Sequence, residues 1–220
     1  MGARKEQIVT GEYYHIYNRS IAGYKIYNSY GEYQRFVNSI IYFLNPIDKV
    51  SFSRYLEYSP SKKTGLINFK KGKKLLDIVC YCIMPTHFHF LIKQNKDGAV
   101  PTVMANIQNS YTRYFNTKHG RKGPLWESKY KNIHIESSEQ LLHLTRYIHL
   151  NPVSAGIVKD ISEWEWSSYK EFITGLENIC TYKYLIDLPT IKYQTFVNDR
   201  KDYQKELSII KSMLIDDYTG

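Results

Sequence analysis

Residues 78–93 read IVCYCIMPTHFHFLIK, two apolar runs separated by a short Met-Pro-Thr segment. Each run has the length and the β-branched and aromatic content of a strand, and the segment between them is short enough for a turn. The stretch therefore predicts two neighbouring strands, at residues 78–83 and 87–93. Because side chains at positions i and i+2 of a strand lie on one face, His87 and His89 are expected to point the same way.

Further elements are predicted on both sides of these two strands. Hydrophobic periodicity and turn residues give the order strand, helix, strand, strand, helix, strand, helix. The predicted elements cover residues 13–19, 31–44, 78–83, 87–93, 100–116, 125–135 and 137–151. The first six match the split β-α-β arrangement of ferredoxin-like folds. The expected fold class is therefore α+β, a ferredoxin-like (RRM-like) antiparallel sheet with helices on one face and a C-terminal helical extension.

The chain of 220 residues is long enough for one sizeable core with an elaborated tail. We expect a main domain at residues 1–175 and the helical extension at residues 176–220. Residues 46–77 form a basic insertion in the main domain, interpreted as a long excursion such as a hairpin. In the extension, residues 202–215 carry apolar side chains at helical spacing.

Composition points to the kind of partner. The formal net charge is +9, and the chain contains 21 tyrosines. Lysine and arginine can pair with phosphates, and unpaired bases can stack on aromatic rings, so a nucleic acid is the expected partner. A solvated basic surface is the alternative for either basic run alone. The runs comprise Lys62, Lys63, Lys70, Lys71, Lys73 and Lys74, then Lys118, Arg121, Lys122, Lys129 and Lys131.

Several other classes of protein are disfavoured by the sequence. No apolar run approaches the roughly 18 residues of a membrane helix, and the polar start is unlike a signal peptide, so no membrane partner is expected. Three sparse cysteines suit a reducing compartment, which predicts a cytoplasmic, nucleoid-associated location. There is no Gly-x4-Gly-Lys-Ser/Thr phosphate-binding loop.

The pair His87 and His89 is difficult to explain by packing on an otherwise apolar strand. A shared divalent ion would explain two neighbouring imidazoles, because two protonated rings would repel each other. Two surface histidines on a half-exposed strand are the alternative. A further possibility is a tetrahedral zinc site in which Cys80 and Cys82 join the histidines, although buried reduced cysteines fit a core strand equally.

The helix predicted at residues 137–151 is expected to supply a partner for the two histidines. Ser137 and Gln140 form a capping-box pattern at its start, and Pro152 is expected to end it. The expected buried stripe consists of Leu141, Leu144, Thr145 and Ile148. The adjacent ridge carries His143, Tyr147 and Asn151. Position alone does not distinguish Tyr147 from the other tyrosines.

Five stretches, in order, resemble one protein family. They are YHIYNR (residues 14–19), MPTHFHFLI (84–92), GPLWESKY (123–130), RYIHLNPVSAGIV (146–158) and WEWSSY (164–169). The chain is similar in these stretches to the HUH single-tyrosine transposases, which include the REP-associated tyrosine transposases and the IS200-like type. The likeness covers about residues 10–172, and several ordered motifs are far more specific than a lone His-x-His.

The resemblance implies a site and a reaction. His87 and His89, with Asn151 as a third polar ligand, would bind Mg²⁺ or Mn²⁺. Tyr147 would attack single-stranded DNA near imperfect hairpins and form a 5′-phosphotyrosine, from which the strand can be joined elsewhere. Two departures from the family pattern remove no catalytic atom: Thr86 replaces the usual Asn, and Ser154 replaces the usual Arg. The resemblance leaves both a monomer and a homodimer open.

Other residues have secondary roles in this interpretation. Expected DNA contacts are Arg19, Lys118, Arg121, Lys122, Lys129 and Tyr130. Tyr111 and Tyr114 are interpreted as packing or base-stacking residues, and His149 as a neighbour of the site. Two alternative functions stay open: a catalytically silent DNA- or RNA-binding regulator of the same fold, and a zinc-stabilised hairpin module.

Overall fold

A four-stranded antiparallel sheet forms the centre of the computed structural model, which describes residues 7–45, 51–58, 74–185 and 190–199. Its strands are β1 (Tyr13–Arg19), β2 (Leu76–Ile83), β3 (His87–Gln94) and β4 (Lys131–Ile135). The spatial order is β2-β3-β1-β4, and every neighbouring pair is antiparallel. This is the ferredoxin-like arrangement, so the predicted fold class is confirmed.

Six helices surround the sheet within the described residues. They are α1 (Tyr30–Phe43), α2 (Phe52–Tyr58), α3 (Ala99–Lys118), α4 (Ser138–Ser154), α5 (Tyr169–Thr174) and α6 (Thr190–Asn198). Short 3-10 turns lie at Ile21–Gly23 and Ile161–Glu163. No helix in these ranges is both long and apolar enough to cross a membrane.

Alternation along β3 separates the two faces of the sheet. Phe88 and Phe90 point to the layer of α1 and α3, where Phe36 of α1 lies 5.5 and 6.4 Å from them between ring centroids. His89 points to the opposite face, where its ring meets that of Tyr147 on α4. Thus α1 and α3 cover one face, as expected, and α4 adds to the other. We call this second face the histidine face.

The predicted strand at residues 125–135 is wrong over its first half. Only Lys131–Ile135 pairs in the sheet as β4. Leu125 and Trp126 are buried instead, and the indole Nε1 of Trp126 donates to the backbone oxygen of Gln108 at 3.3 Å. The segment also pairs locally with the end of β1, because Ser20 and Trp126 form an isolated antiparallel bridge and the backbone N of Glu127 donates to the backbone oxygen of Arg19 at 3.1 Å.

The expected stop at Asn151-Pro152 is also wrong, because α4 continues to Ser154. Proline has no N–H to donate to the carbonyl of Ile148, four residues before it. The side-chain Nδ2 of Asn151 lies 3.5 Å from that oxygen and donates to the backbone oxygen of Tyr147 at 2.9 Å. The amide of Asn151 thereby compensates in part for the missing backbone donor. At the other end, the predicted cap is confirmed: Ser137 Oγ accepts from the backbone N of Gln140 at 3.1 Å.

Much of the predicted insertion at residues 46–77 lies outside the described residues. Its described parts are helix α2 and the start of β2, so a helix occupies part of the expected excursion. Residues 202–215 also lie outside, whereas α6 gives the extension a helix at Thr190–Asn198. The division of the chain at residue 175 stays a prediction.

Candidate active site

His87 and His89 lie side by side at the start of β3, on the histidine face. Their ring centroids are 5.1 Å apart and their planes are perpendicular. His89 is fully buried, whereas His87 is half-buried. The predicted common orientation of the two imidazoles is therefore present.

Tyr147 faces this pair from α4. Its half-buried ring meets the ring of His89 at 5.9 Å between centroids, edge to face. The predicted stripe of Leu141, Leu144, Thr145 and Ile148 is buried, and this packing presents the ridge of Tyr147 to β3. Asn151 lies one turn further along. Because its Nδ2 donates to the helix backbone, its side-chain oxygen is the atom that could serve as a ligand.

His15 on β1 belongs to the same cluster, although no role was predicted for it from sequence. Its Nε2 lies 3.0 Å from Nδ1 of His89, and both side chains are buried. Tyr17, two residues further along β1, lies 4.9 Å from His15 and 5.9 Å from His89 between ring centroids. Alternation puts His15 and Tyr17 on one face of β1, but the pairing of β1 with β3 was needed to bring His15 to His89.

Burial keeps the imidazoles of the cluster neutral. It lowers the pKa of His15 to about 3 and that of His87 to about 4, the latter helped by the nearby charge of Arg19. The pKa of His89 is well below its ordinary value because of burial and the neighbouring histidines. Neutral imidazoles are the form that binds metal ions.

The donor atoms fit a divalent ion that accepts nitrogen ligands. Nε2 of His89 is buried and has no hydrogen-bond partner among the described residues. Two imidazoles and an amide oxygen suit Mn²⁺ better than Mg²⁺, which prefers oxygen ligands. Within the described ranges, no group of three or more His, Cys, Asp or Glu side chains could hold a metal ion. Any ion would therefore need water or phosphate oxygens to complete its coordination.

The alternative zinc site gains no support from the cysteines. Cys82 pairs with His89 across β2 and β3, but its Sγ lies 3.8 Å from the sulfur of Met84. Burial raises the pKa of both the Cys80 and the Cys82 thiols, which opposes the thiolate form that zinc requires. The four donors lie in described residues and form no metal-binding group.

Thr86 shows that a departure from the family pattern has a structural consequence. Its Oγ1 lies 2.9 Å from Nδ1 of His87. The backbone oxygen of Thr86 also accepts from Ser20 N at 2.8 Å, which ties the turn to the end of β1. Thr86 therefore contacts the cluster directly, which the sequence did not predict.

The predicted DNA contacts fall into two groups. Arg19 pairs with His87 across β1 and β3, is exposed, and forms a 2.5 Å ion pair with Glu127. Lys122 and Lys129 are also exposed. The second group comprises two cations that contact α1 or the turn after α3, together with one buried tyrosine, namely Lys118, Arg121 and Tyr130.

In this second group, Lys118 forms a 2.8 Å ion pair with Glu32. Arg121 holds the turn after α3, where Nη1 donates to Asn116 Oδ1 at 3.0 Å and Nη2 donates to the backbone oxygen of Pro124 at 2.7 Å. Tyr130 is buried. Their roles in DNA binding stay predictions, as do those of the first group.

Tyr111 and Tyr114 lie away from the histidines. Tyr111 is buried in the layer of α1 and α3, where its hydroxyl donates to the backbone oxygen of Ile26 at 2.6 Å. Tyr114 lies in the same layer, 5.1 Å from the guanidinium of Arg35. Because α3 covers the opposite face of the sheet, both fit the packing role.

His149 does not face the cluster. It is fully buried, and its two ring nitrogens contact the hydroxyls of Tyr193 and Ser168, each at 2.7 Å. Arg146, also buried, donates from Nη1 to the backbone oxygens of Phe196 and Asp199, at 2.8 and 3.1 Å. Both side chains therefore bind α4 to its surroundings, chiefly to α6, on either side of Tyr147.

Comparison with known proteins agrees with the resemblance seen in the sequence. Residues 61–151 match the model of the family described as "Transposase IS200 like". A REP-associated tyrosine transposase of Haemophilus influenzae is 26% identical over 104 residues, which is 42% of this chain and 58% of that protein. The Escherichia coli REP-associated tyrosine transposase is 23% identical over 106 residues, which is 48% of this chain and 61% of that protein. The matched part thus spans about three-fifths of each of these relatives.

One solved structure has the same fold over most of the chain. It is that of a REP-associated tyrosine transposase bound to a REP hairpin, with a TM-score of 0.53 and 17% sequence identity. The alignment covers 86% of this chain and 96% of that one.

Proposed function

We propose that this chain, which is similar to the IS200-like and REP-associated tyrosine transposases, cleaves and rejoins single-stranded DNA beside hairpins. The observation that carries the proposal is the approach of Tyr147 to His89, at 5.9 Å between ring centroids, from helix α4 to strand β3. It brings the one tyrosine that the family pattern singles out to the His-x-His pair. The proposed setting is the DNA of the nucleoid.

Tyr147 is the proposed nucleophile. Its phenol loses a proton to solvent, and the phenolate oxygen attacks the phosphorus atom of the DNA backbone. The bond from phosphorus to the 3′-oxygen breaks, and that oxygen leaves and takes up a proton. The products are a 5′-phosphotyrosine and a free 3′-hydroxyl. A second 3′-hydroxyl can then attack the same phosphorus, which joins a new strand and releases Tyr147.

The histidine cluster is the proposed site for the charge that develops on phosphate. His87, His89 and Asn151 would hold Mg²⁺ or Mn²⁺, which would polarise a non-bridging phosphate oxygen. Arg19 lies beside His87 and is exposed, so its guanidinium can contact the same phosphate or a neighbouring one. The neutral imidazoles themselves add no charge that would compete with the cation.

The hairpin substrate rests on the solved relative, whose structure contains a REP hairpin. A second function is a protein of the same fold that binds hairpins without cleaving them. The cluster favours this alternative in one respect, since the described residues offer no carboxylate as a further metal ligand.

A covalent-adduct assay distinguishes the two functions. The full chain is incubated with labelled single-stranded hairpin DNA from the flanks of its own gene, with Mn²⁺ or with EDTA, and run on a denaturing gel. We expect a labelled protein band that is lost in EDTA and in Tyr147→Phe and is kept in Tyr114→Phe. Salt-sensitive binding without an adduct in Mn²⁺ or Mg²⁺ would instead establish the silent binding protein.

A further inference from the structure

His15 and His89 are arranged as a hydrogen-bonded pair. The nitrogen–nitrogen distance is 3.0 Å, the ring planes differ by 17°, and the ring centroids are 5.2 Å apart. The distance between centroids is close to the largest that this nitrogen–nitrogen distance allows, which is reached when the two nitrogens lie on the line between the centroids. Because the planes are also nearly parallel, the rings lie edge to edge in nearly one plane. This is the geometry of a hydrogen bond between ring nitrogens rather than of stacked rings.

We infer that His15 is a positioning residue, whose Nε2 accepts a hydrogen bond from the Nδ1–H of His89 and so leaves Nε2 of His89 as the metal-binding nitrogen. The inference rests on the proposed function, because it concerns the ion that the site would hold. It adds a residue and a direction of hydrogen bonding to the roles that the resemblance implies for His87, His89, Asn151 and Tyr147.

The direction of the hydrogen bond decides what His89 can do. A single proton lies between the two nitrogens, so one ring donates and the other accepts. If His15 donates, the proton of His89 lies on Nε2 and no lone pair remains there for a cation. If His89 donates from Nδ1, Nε2 presents its lone pair to the site. Metal-binding histidines commonly donate their second ring nitrogen in this way, which fixes their tautomer and orientation.

A further observation supports this direction. Nε2 of His89 is buried and has no hydrogen-bond partner among the described residues, so an N–H there would have no acceptor in the described part of the chain. The neighbouring His87 is also held through Nδ1, which lies 2.9 Å from Thr86 Oγ1, a hydroxyl that can either donate or accept.

The ring of Tyr17 helps to hold the pair in place. It lies 4.9 Å from His15 and 5.9 Å from His89 between centroids, nearly parallel to both. The ring of Tyr17 thus packs beside both imidazoles on the histidine face. The orientation of His89 is therefore set by β1 as well as by its own strand.

The tautomer of His89 can be measured directly in the metal-free protein by long-range ¹H–¹⁵N NMR of the histidine rings. We expect the proton on Nδ1 in the native chain, and a mixture of tautomers in His15→Phe, which keeps a ring but has no acceptor. His15→Gln retains an acceptor oxygen and should restore the native tautomer. A native His89 with its proton on Nε2 would overturn the inference without reference to any variant.

Binding of Mn²⁺ alone, followed by electron paramagnetic resonance, gives the second measurement. Loss of such a partner typically weakens metal binding about 10–100-fold, so this is the loss expected for a folded His15→Phe, with His15→Gln close to the native affinity. Unchanged Mn²⁺ affinity in folded His15→Phe, or no Mn²⁺ binding by the native chain, would contradict the inference. Neither measurement uses DNA, so failure here is distinct from failure of the adduct assay.

Discussion

His149 and Tyr193 share a 2.7 Å hydrogen bond that joins helix α4 to helix α6. The hydroxyl of Tyr193 also donates to Thr145 Oγ1 at 3.0 Å, and the other ring nitrogen of His149 contacts Ser168 Oγ at 2.7 Å. Ser168 Oγ in turn accepts from the backbone N of Tyr81 on β2 at 2.9 Å. A buried chain of hydrogen bonds thus runs from the sheet through the helix of Tyr147 to α6.

Tyr193→Phe should destabilise the protein by about 1–3 kcal/mol, because it leaves a buried ring nitrogen of His149 without its partner and removes the hydrogen bond to Thr145 Oγ1. Urea unfolding at pH 7 measures the change. Tyr184→Phe is the matched control: Tyr184 is exposed, and its loss should stay within about 0.5 kcal/mol. Equal losses of unfolding free energy in the two variants would show that the buried hydrogen bonds of Tyr193 add no stability.

Arg146→Leu should loosen α6 without unfolding the sheet. The guanidinium donates to two carbonyls at the end of α6 and lies 4.4 Å from the ring centroid of Phe196. We expect faster hydrogen exchange in residues 190–199 and unchanged exchange in β1 and β3. Arg113→Leu, at an exposed position of α3, serves as the control. Protection of α6 equal to that of the native chain would refute the role of Arg146.

The buried histidines should make stability depend on pH. Burial lowers the pKa of His149 to about 3, so below its ordinary value of 6.5 the unfolded chain takes up a proton that the folded chain does not. The free energy of unfolding should therefore fall as pH decreases from about 6.5. His149→Gln should lower the slope of the unfolding free energy against pH, because the variant lacks the one proton that His149 takes up on unfolding. Urea unfolding between pH 5 and 7 in EDTA measures this slope. Parallel slopes would show that His149 is not the source.

Glu32 should stabilise the chain most at neutral pH. Burial raises the pKa of its carboxyl, but hydrogen bonds from Lys118, the backbone N of Asn28 and His119 outweigh this effect and lower it. The stabilisation is present above the unfolded pKa and is lost as pH falls through the folded one. Glu32→Gln should cost about 1.5–3 kcal/mol at pH 7 and less at pH 3.5.

The matched control for Glu32→Gln is Glu139→Gln, at an exposed position of α4. It should change the free energy of unfolding by less than about 0.5 kcal/mol. A cost for Glu32→Gln that does not vary with pH would rule out the charge of Glu32 as its origin.

Lys122 and Lys129 are the exposed cations on which DNA binding can be tested apart from stability. If each contacts a phosphate, Lys122→Ala and Lys129→Ala should each reduce the slope of log affinity against log salt by about 0.7 for single strands. Thermal unfolding should be unchanged in both. Arg121→Ala differs, because loss of its hydrogen bonds in the turn should also lower stability. If the salt slope of a variant is unaltered, the lysine that was replaced does not contact a DNA phosphate.

Local periodicity was sufficient to predict much of the molecule. The strand pair at β2 and β3, the common face of His87 and His89, and the buried stripe of α4 all follow from side-chain spacing within one element. Apolar side chains that recur every two residues in a strand, or every 3.6 residues in a helix, show which face of the element is buried. Tyr147 could be singled out only through its family resemblance, since spacing does not distinguish it.

Contacts between distant elements account for what was missed. His15 meets His89 because β1 and β3 pair in one particular register, which alternation within either strand does not contain. Arg146 and His149 find their partners on α5, α6 and the segments around them, far along the chain. Residues 125–130 were predicted as the start of a strand, yet only a single bridge between Trp126 and Ser20 forms there, while Leu125 and Trp126 are buried. Asn151 allows α4 to pass a proline that would ordinarily end a helix.

The three cysteines have a practical consequence. All are buried and unpaired with one another, and burial raises the pKa of each thiol. Because the thiolate is the reactive form, maleimide reagents should leave the folded chain largely unmodified. A cysteine introduced at an exposed position such as Lys122 would then be the dominant point of dye attachment. Fluorescence from that single label could follow the arrival and departure of a DNA strand in real time, on the otherwise native protein.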